Sequence, residues 1–440
     1  MENTHGNTIP TGGQAPRKFL FVGREGLSGD LAWRVAKEGN AVKMAIADEE
    51  EKDVFDGFVE KVDDWKAALP WADVVVFEDT GYGSIADALR KEGKLVVGGG
   101  VYADKLEVDR EFGQTEMKSV GIQVVPHWDL GNFDSAIEII KQNPDRYAFK
   151  PSGDIPSEQK GILFIGQEED GRDIIEVLEH NKKSWAKKFK KFQLQQFISG
   201  VEVAVGAFFN GKEFIYPVCV NFEHKKLFPG DIGPSTGEMG TLMFWAGKEH
   251  AVFKATLAKM EEKLKSSGYV GYIDINCIAN TKGVYPLEFT CRFGYPTISI
   301  QMEGMTGPVG DFLFALASGI PHELKTKRGF QIGVVIAVPP FPYNDKGEFE
   351  IYKDFSIIFK KPVLDGVHLG DVKLVDGDWH LAGETGYALV VTGSDSTVEG
   401  ARKQVYKRIG NIMLQNMFYR TDIGLQWYHE SDKLQTWGYL

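Results

Sequence analysis

The chain has 440 residues, 43% of them apolar and 25% charged, and a formal net charge of −12. Those values exclude a disordered or fibrous chain and leave room for more than one domain. The acidic balance lacks the footprint of a nucleic-acid binder, so no direct nucleic-acid binding is expected.

Residues 1–16 are polar, rich in Gly, Thr, Asn and Pro, and without the apolar stretch of a signal peptide. They read as a flexible tail. No apolar run is long enough to cross a bilayer. Cys219, Cys277 and Cys291 lie at no metal-ligand spacing and read as small buried hydrophobes, compatible with a reducing cytoplasm.

The first element is the apolar strand Phe19–Val22, followed by a glycine-spaced loop, Gly23 to Gly29, and a helical pattern over residues 31–36. Val74–Phe77 and Leu95–Val97 are further apolar strands, with a helix over residues 85–91 between them. Continuous apolar strands alternating with helices predict a parallel α/β domain, placed at 17–103. The strand-to-helix loop is an anion site by geometry, but it lacks the full spacing of a dinucleotide fingerprint, which disfavours a dehydrogenase.

Residues 105–120 read as helix. Tyr147–Lys150 and Ile162–Ile165 read as paired strands joined by a Gly/Pro/Ser loop that returns through Lys160. Two lysines flanking such a loop suit nucleotide phosphates; a solvated hairpin tip is the alternative. Strands are expected over residues 193–197, 203–209 and 214–220. Glu202 either accepts hydrogen bonds from ribose hydroxyls or is a surface carboxylate.

Between residues 223 and 240 stand four glycines and two prolines, which forbid a regular helix or a central strand. His224, Lys225, Asp231, Pro234, Ser235, Thr236 and Gly237 lie here, and the small residues expose backbone N–H groups to an anion. Residues 251–265 read as an amphipathic helix. Two strands, 272–279 and 284–289, form a hairpin that sets Asp274 nearly opposite Glu288. Opposed like charges destabilise a sheet. Either a divalent cation compensates, or one acid is solvated and the other meets a Lys or Arg. Arg292, two residues past Thr290, either clamps a phosphoryl group or balances those acids. From residue 328 the chain alternates short strands with turns and ends in a helix near 397–413.

Taken in order, these motifs resemble the glycinamide ribonucleotide synthetase (phosphoribosylamine–glycine ligase) family of the ATP-grasp superfamily. Asp231 to Gly240 is similar to that family's D-x-GPNTGGMG loop, and Glu223-His224-Lys225-Lys226 to its DHKR segment. Leu287 to Gly294 resembles its EFNCRFG signature, and Tyr419 to Gly424 its YRKDIG ending. The likeness runs from about Lys18 to Gly424.

The resemblance implies a multidomain fold of α/β and α+β type: the N-terminal domain, an ATP-grasp core over 104–325 with a lid subdomain near 120–190, and a C-terminal domain over 326–440. It implies ATP with Mg²⁺ or Mn²⁺, a small-molecule carboxylate and amine as partners, no membrane, and a monomer or homodimer. Arg110, Lys150, Lys160 and Glu202 would contact ATP. Gln195, Gln196, Phe197 and Ile198 would form the adenine hinge, where the family usually has two Glu residues. Asp274, Glu288 and Thr290 would bind metal. Arg292, Lys225, His224 and Asp231 would serve catalysis, and Gly23, Gly26, Glu78, Asp79 and residues 234–237 the substrates.

Three departures fall around the substrates. The family's GNGGREH loop stands here as Gly23 to Gly29 without the Arg-Glu-His ending, its GPEAP segment as Phe77 to Gly81, and the end of its RFGDPE signature as Tyr295-Pro296-Thr297. The expectation is a carboxylate–amine ligase with altered substrate pockets, set in nucleotide or nucleobase modification. The alternatives are the family's standard reaction and a nucleotide-binding protein without catalysis.

Overall fold

The computed structural model describes residues 16–152, 162–343 and 346–440. Their contacts divide into two compact units. The first holds the chain up to residue 104 with residues 203–274 and 290–440; the second holds 105–202 and 275–289.

The first unit opens on β1 (Lys18–Gly23), β2 (Ala41–Ile46), β3 (Glu60–Lys61), β4 (Val74–Phe77) and β5 (Leu95–Val97). They form a parallel sheet in the order β3-β2-β1-β4-β5. The apolar runs of β1 and β4 are buried on both faces, as a helix-flanked parallel sheet requires. Helices Gly29–Lys37 and Gly83–Lys91 start two residues before the pattern predicts. Leu20, Val22, Val75, Phe77 and Leu89 share one apolar core.

In the second unit the expected helix over 105–120 is broken at Asp109. The Asp109 carboxylate accepts from the Phe112 N–H at 3.0 Å and starts a new helix, Arg110–Ser119. Here β6 (His127–Leu130), β7 (Tyr147–Ser152), β8 (Phe164–Ile165) and β9 (Lys191–Gln196) form an antiparallel sheet in the order β6-β9-β7-β8. The expected strand pair is present, with Ala148 opposite Ile165; its connecting loop lies outside the described residues. Helices Phe133–Gln142 and Arg172–Trp185 bury their apolar stripes in a core with Phe149, Phe192 and Leu194. Phe133 stacks on Phe192 with centroids 4.7 Å apart.

The rest of the first unit is mainly antiparallel. It contains β10 (Val201–Asn210) from Val203 onward, β11 (Phe214–Glu223), and the two-stranded β12 (Lys226–Phe228) and β13 (Ile232–Ser235). Then come β14 (Gly240–Ala246), the start of β15 (Val270–Asn280), the end of β16 (Gly283–Thr290), and β17 (Phe330–Ala337). Residues 275–289, the end of β15, the turn and all but the last residue of β16, belong to the second unit, as the expected hairpin. The C-terminal part adds β18 (Ser356–Phe359), β19 (Val367–Leu369), β20 (Val372–Val375), β21 (Asp378–Leu381), β22 (Tyr387–Asp395) and β23 (Ile412–Met413). Strands run β10-β11-β14-β17-β22-β19 in one sheet and β20-β21-β18-β23 in a second.

Two expectations change. The amphipathic segment 251–265 is not one helix: Thr256 leaves helical dihedrals, its hydroxyl donating to the Val252 carbonyl at 2.7 Å, and a 3₁₀ turn separates Ala251–Ala255 from Glu261–Ser266. After the expected helix, Val398–Ile409, a further helix, Trp427–Thr436, packs Trp427 edge-on against Phe222, Phe244 and Phe330. Its sequence is polar except where Trp427 and Leu434 face inward, so the apolar period is too thin to read.

Candidate active site

In the second unit the nucleotide candidates gather on the β7–β9 sheet and its surroundings. Lys150 is partly buried on β7, opposite Gln193 of β9. Gln193 is fixed by Gln114 and by Asp129. After β9 the chain is held by its own backbone: the Gln196 N–H donates to the Pro126 carbonyl at 2.9 Å, and the Phe197 N–H to the Arg146 carbonyl at 2.8 Å. The Arg146 guanidinium lies 3.6 Å from the Phe197 ring centroid. Gln196 donates through its side chain to Asp145. Ile198 follows half-buried.

Gln195 is buried, and its Nε2 has no hydrogen-bond partner among the described residues. A buried amide donor left open is costly unless something accepts from it, and a nucleobase ring nitrogen is such an acceptor. Arg110 approaches Glu288 at 4.0 Å, at the edge of ion-pair range. Asn280, in the hairpin turn, donates to the Ser199 carbonyl at 2.9 Å and ties the hairpin to the segment carrying Glu202. Lys160 lies outside the described residues.

In the first unit the loop after β1 already holds an anion, supplied by the chain itself. Glu78, fully buried, accepts from the N–H groups of Glu25 (3.2 Å), Gly26 (3.0 Å) and Ser28 (3.1 Å) and from the Ser28 hydroxyl (3.0 Å). Gly23 is required because a Cβ there would sit 1.7 Å from that carboxyl group. Burial pushes the Glu78 carboxyl up, while the Ser28 and Gly26 bonds pull it down. Asp79 is ion-paired with Arg292 at 3.0 Å, and the Tyr295 hydroxyl donates to the Glu78 carbonyl at 3.1 Å.

The Gly/Pro-rich segment is an ordered hairpin of β12 and β13, with Lys226 opposite Ser235. Pro234 and Ser235 lie on β13, and Thr236 bonds the Lys225 carbonyl through both its N–H (2.8 Å) and its hydroxyl (2.9 Å). Asp231, at φ 56°, accepts from Arg420 at 2.8 Å. Arg420 is wholly buried and also bonds Asp422 and the Lys226 carbonyl. His224 is buried, and its Nε2 accepts from the Gly424 N–H at 3.1 Å. Burial and the Arg420 charge push the imidazole down to about 4, so it is neutral at pH 7.

Asp274 is also buried. Its Oδ2 accepts from Asn221 Nδ2 and from the Tyr272 hydroxyl, each at 2.9 Å. Burial, and then the neighbouring Glu223 carboxylate, push it upward, against the pull of Tyr272 and Lys225. Lys225 lies 3.4 Å from Glu223. A carboxylate strained upward in this way favours added positive charge. The Asp274 carboxylate oxygens are of the donor type magnesium takes, one or two carboxylates with the rest from phosphates. Among the described residues, no three or more His, Cys, Asp or Glu side chains are grouped to hold a metal by themselves. Thr290 ends β16 in the same unit, and Glu288 belongs to the second.

Sequence reasoning missed one feature of the first unit, a cavity of about 340 Å³ lined by Glu25, Glu51, Glu238, Asp371 and Glu384 among others. The run Glu49-Glu50-Glu51 was the only local signal. Glu25 lies 26 residues before Glu51, while Glu238 and the pair Asp371 and Glu384 come from segments more than a hundred residues further along the chain.

Residues 108–298 match the family model for the phosphoribosylglycinamide synthetase ATP-grasp (A) domain. The chain is 25% identical over 352 residues to the phosphoribosylamine–glycine ligase of Corynebacterium ammoniagenes, covering 77% of this chain and 79% of that one. It is 25% identical over 350 residues to the same enzyme of Clostridium acetobutylicum, covering 77% and 81%. The crystal structure of the Thermotoga maritima phosphoribosylamine–glycine ligase superposes with a TM-score of 0.70 at 21% identity, over 92% of this chain and 100% of that one, a likeness of fold. No helix among the described residues is long and apolar enough to cross a membrane. The chain thus carries the ATP-grasp domain of the phosphoribosylglycinamide synthetase family and is an ATP-grasp ligase that forms a C–N bond.

Proposed function

We propose that this ligase uses ATP to convert a carboxylate to an acyl phosphate, which an amine then captures. The carboxylate oxygen attacks the γ-phosphorus, ADP leaves, and the amine nitrogen displaces inorganic phosphate from the acyl carbon. The observation that carries this reading is the open, buried Gln195 Nε2 on a sheet that also presents Lys150, in a domain matched by an ATP-grasp family model. In this reading Gln195 to Ile198 cradle the base, Glu202 takes the ribose, and Arg110, Lys150 and Lys160 hold phosphates. Asp274, Glu288 and Thr290 would hold magnesium, which when bound neutralises charge on the transferring phosphoryl group. Arg292 would clamp that group once released from Asp79, and Lys225 would stand beside it. Neutral His224 and Asp231 would hold the hairpin carrying the substrate-facing residues 234–237.

The relatives make phosphoribosylamine and glycine the first pair to test. ADP release should require Mg-ATP, glycine and phosphoribosylamine together. A second reading, a different amine, is favoured by one observation: the loop after β1 is filled by the Glu78 carboxylate, where a substrate phosphate would otherwise meet open N–H groups. ADP release without dependence on phosphoribosylamine, but dependent on another amine, would decide for it. Magnesium-dependent ADP formation with no acceptor pair would leave the acyl-transfer reading unsupported.

A further inference from the structure

The cavity of the first unit is acidic to an unusual degree. Glu25, Asp48, Glu50 and Glu51 line it from the N-terminal segments, and Glu238, Asp371 and Glu384 from later ones. None of its lining residues among those described is Lys, Arg or His. Arg24, itself outside the lining, pairs at 3.9 Å with one wall carboxylate, Asp48, and Arg292 pairs at 3.0 Å with Asp79, which does not line the cavity.

Acidic residues crowd many surfaces without binding anything, and two further observations separate this cavity from those. First, Glu51 and Glu238 are 4% and 7% exposed, and each has a buried carboxyl oxygen, Oε2 and Oε1 respectively, with no hydrogen-bond partner among the described residues. The buried Tyr387 hydroxyl in the same wall also has no hydrogen-bond partner among the described residues. Unpaired buried oxygens are costly, and a fold that keeps them at a cavity wall departs from the usual rule where function resides. Second, Glu25 and Leu27 of the wall belong to the loop whose N–H groups bind Glu78. The amides of that loop are thus occupied by a side chain.

We infer that this cavity is the binding site for a small organic cation, an alkyl diamine or an amine bearing a second positive charge, and that it rejects phosphorylated ligands. The inference rests on the ligase reading in its second form and names the class of amine. An ammonium group donates to three acceptors, which suits a wall of carboxylates that includes Glu51 and Glu238. Tyr295, Phe341 and Tyr387 add aromatic surface, which attracts organic cations. A volume near 340 Å³ is that of a small-molecule pocket rather than of a single ion. With one ammonium held by the carboxylates, a diamine keeps its other nitrogen available, once deprotonated, as the nucleophile.

The test is calorimetric titration of the full chain with three probes: 1,4-diaminobutane, ribose 5-phosphate and magnesium chloride alone. The diamine should bind, ribose 5-phosphate should not, and Glu51→Gln and Glu238→Gln should each weaken the diamine at least tenfold. Glu50→Gln, on an exposed residue where folding is not at risk, should weaken it severalfold. Binding of ribose 5-phosphate, binding of magnesium alone with loss in the same variants, or no diamine binding would each overturn the inference. Mg-ATP binding is titrated in parallel. Its absence would sink the ligase reading and leave the cavity result standing on its own.

Discussion

Arg420 and Asp231 lie 189 residues apart in the chain, yet their side chains meet at 2.8 Å, and the guanidinium is wholly buried. The same guanidinium bonds both oxygens of Asp422, and Asp422 in turn accepts from the Gly230 N–H at 2.9 Å. The C-terminal segment therefore clamps the hairpin over residues 226–235 from beneath.

The two partners should differ sharply when removed. Arg420→Ala leaves Asp422 charged and without its buried partner, and should cost about 3 kcal/mol. Asp231→Ala removes an exposed carboxylate, 66% accessible, and should cost less than about 1 kcal/mol. Urea unfolding of both variants checks this, and equal losses would refute the clamp.

Glu78→Ala should open an anion site where none is now available. The N–H groups of Glu25, Gly26 and Ser28 lose their acceptor, and unsatisfied buried donors cost about 1–3 kcal/mol each. Inorganic phosphate should therefore raise the melting temperature of the variant and leave that of the native chain unchanged. A native chain stabilised equally by phosphate would contradict the occupancy of this loop by Glu78.

Acid should destabilise the fold in two stages. His224 has a folded pKa lowered to about 4 by burial and Arg420. Its unfolded form binds a proton first, so stability falls as pH drops from about 6.5. Burial pushes Glu303 and Asp422 upward, but Lys327 and Arg408 for the first, and Arg420 for the second, outweigh it and bring both to about 2. Depressed carboxylates stabilise the fold above their unfolded pKa and lose that contribution as pH falls toward 2. Removing the imidazole in His224→Gln should flatten the upper stage only, as read by thermal melts from pH 7 to 3.

The acidic cavity should act in the opposite direction. Burial pushes Glu51 upward, as do the charges of Asp371, Glu384 and Glu25, against a backbone bond from Glu384. Burial raises Glu238 and Asp371 as well, with Glu223 and Asp274 adding to the first and Glu25 and Asp53 to the second; Lys225, Thr385 and Tyr387 oppose. Raised acids stabilise the fold when protonated, and that contribution is lost as pH rises through their folded values. A diamine should offset this loss, so its stabilising effect should be larger at pH 8 than at pH 6. A shift independent of pH would place the diamine elsewhere.

Turnover variants test the proposed nucleotide and metal groups separately. Lys150→Ala should raise the KM for ATP about tenfold, the loss of one charge-assisted phosphate contact. Glu288→Ala and Asp274→Asn should lower kcat at least a hundredfold while circular dichroism stays native. Wild-type rates in both would remove them from the metal site.

Much of the fold was legible locally. Apolar runs such as Phe19–Val22 and Val74–Phe77 are buried in the strands their pattern announced, because a continuous apolar tetrapeptide has little choice but a covered sheet. The hairpin carrying Glu288 was legible for the same reason, two apolar stretches around a polar turn. Thr256 was not, because its break depends on a side-chain bond back to Val252 that competes with a good helical period.

Spacing along a few dozen residues was enough to read the apolar strands of the N-terminal sheet, the strand pair Tyr147–Ser152 with Phe164–Ile165, and the motifs of an ATP-grasp ligase. What those motifs face depends on contacts between segments far apart in the chain. The tertiary structure placed Glu78 in the loop read as an anion site, set Arg420 beneath Asp231, and brought Glu25, Glu51, Glu238, Asp371 and Glu384 to one cavity. The physical reason is that charge acts through space over several ångströms, so the electrostatic character of a pocket is set by residues that chain spacing does not bring together.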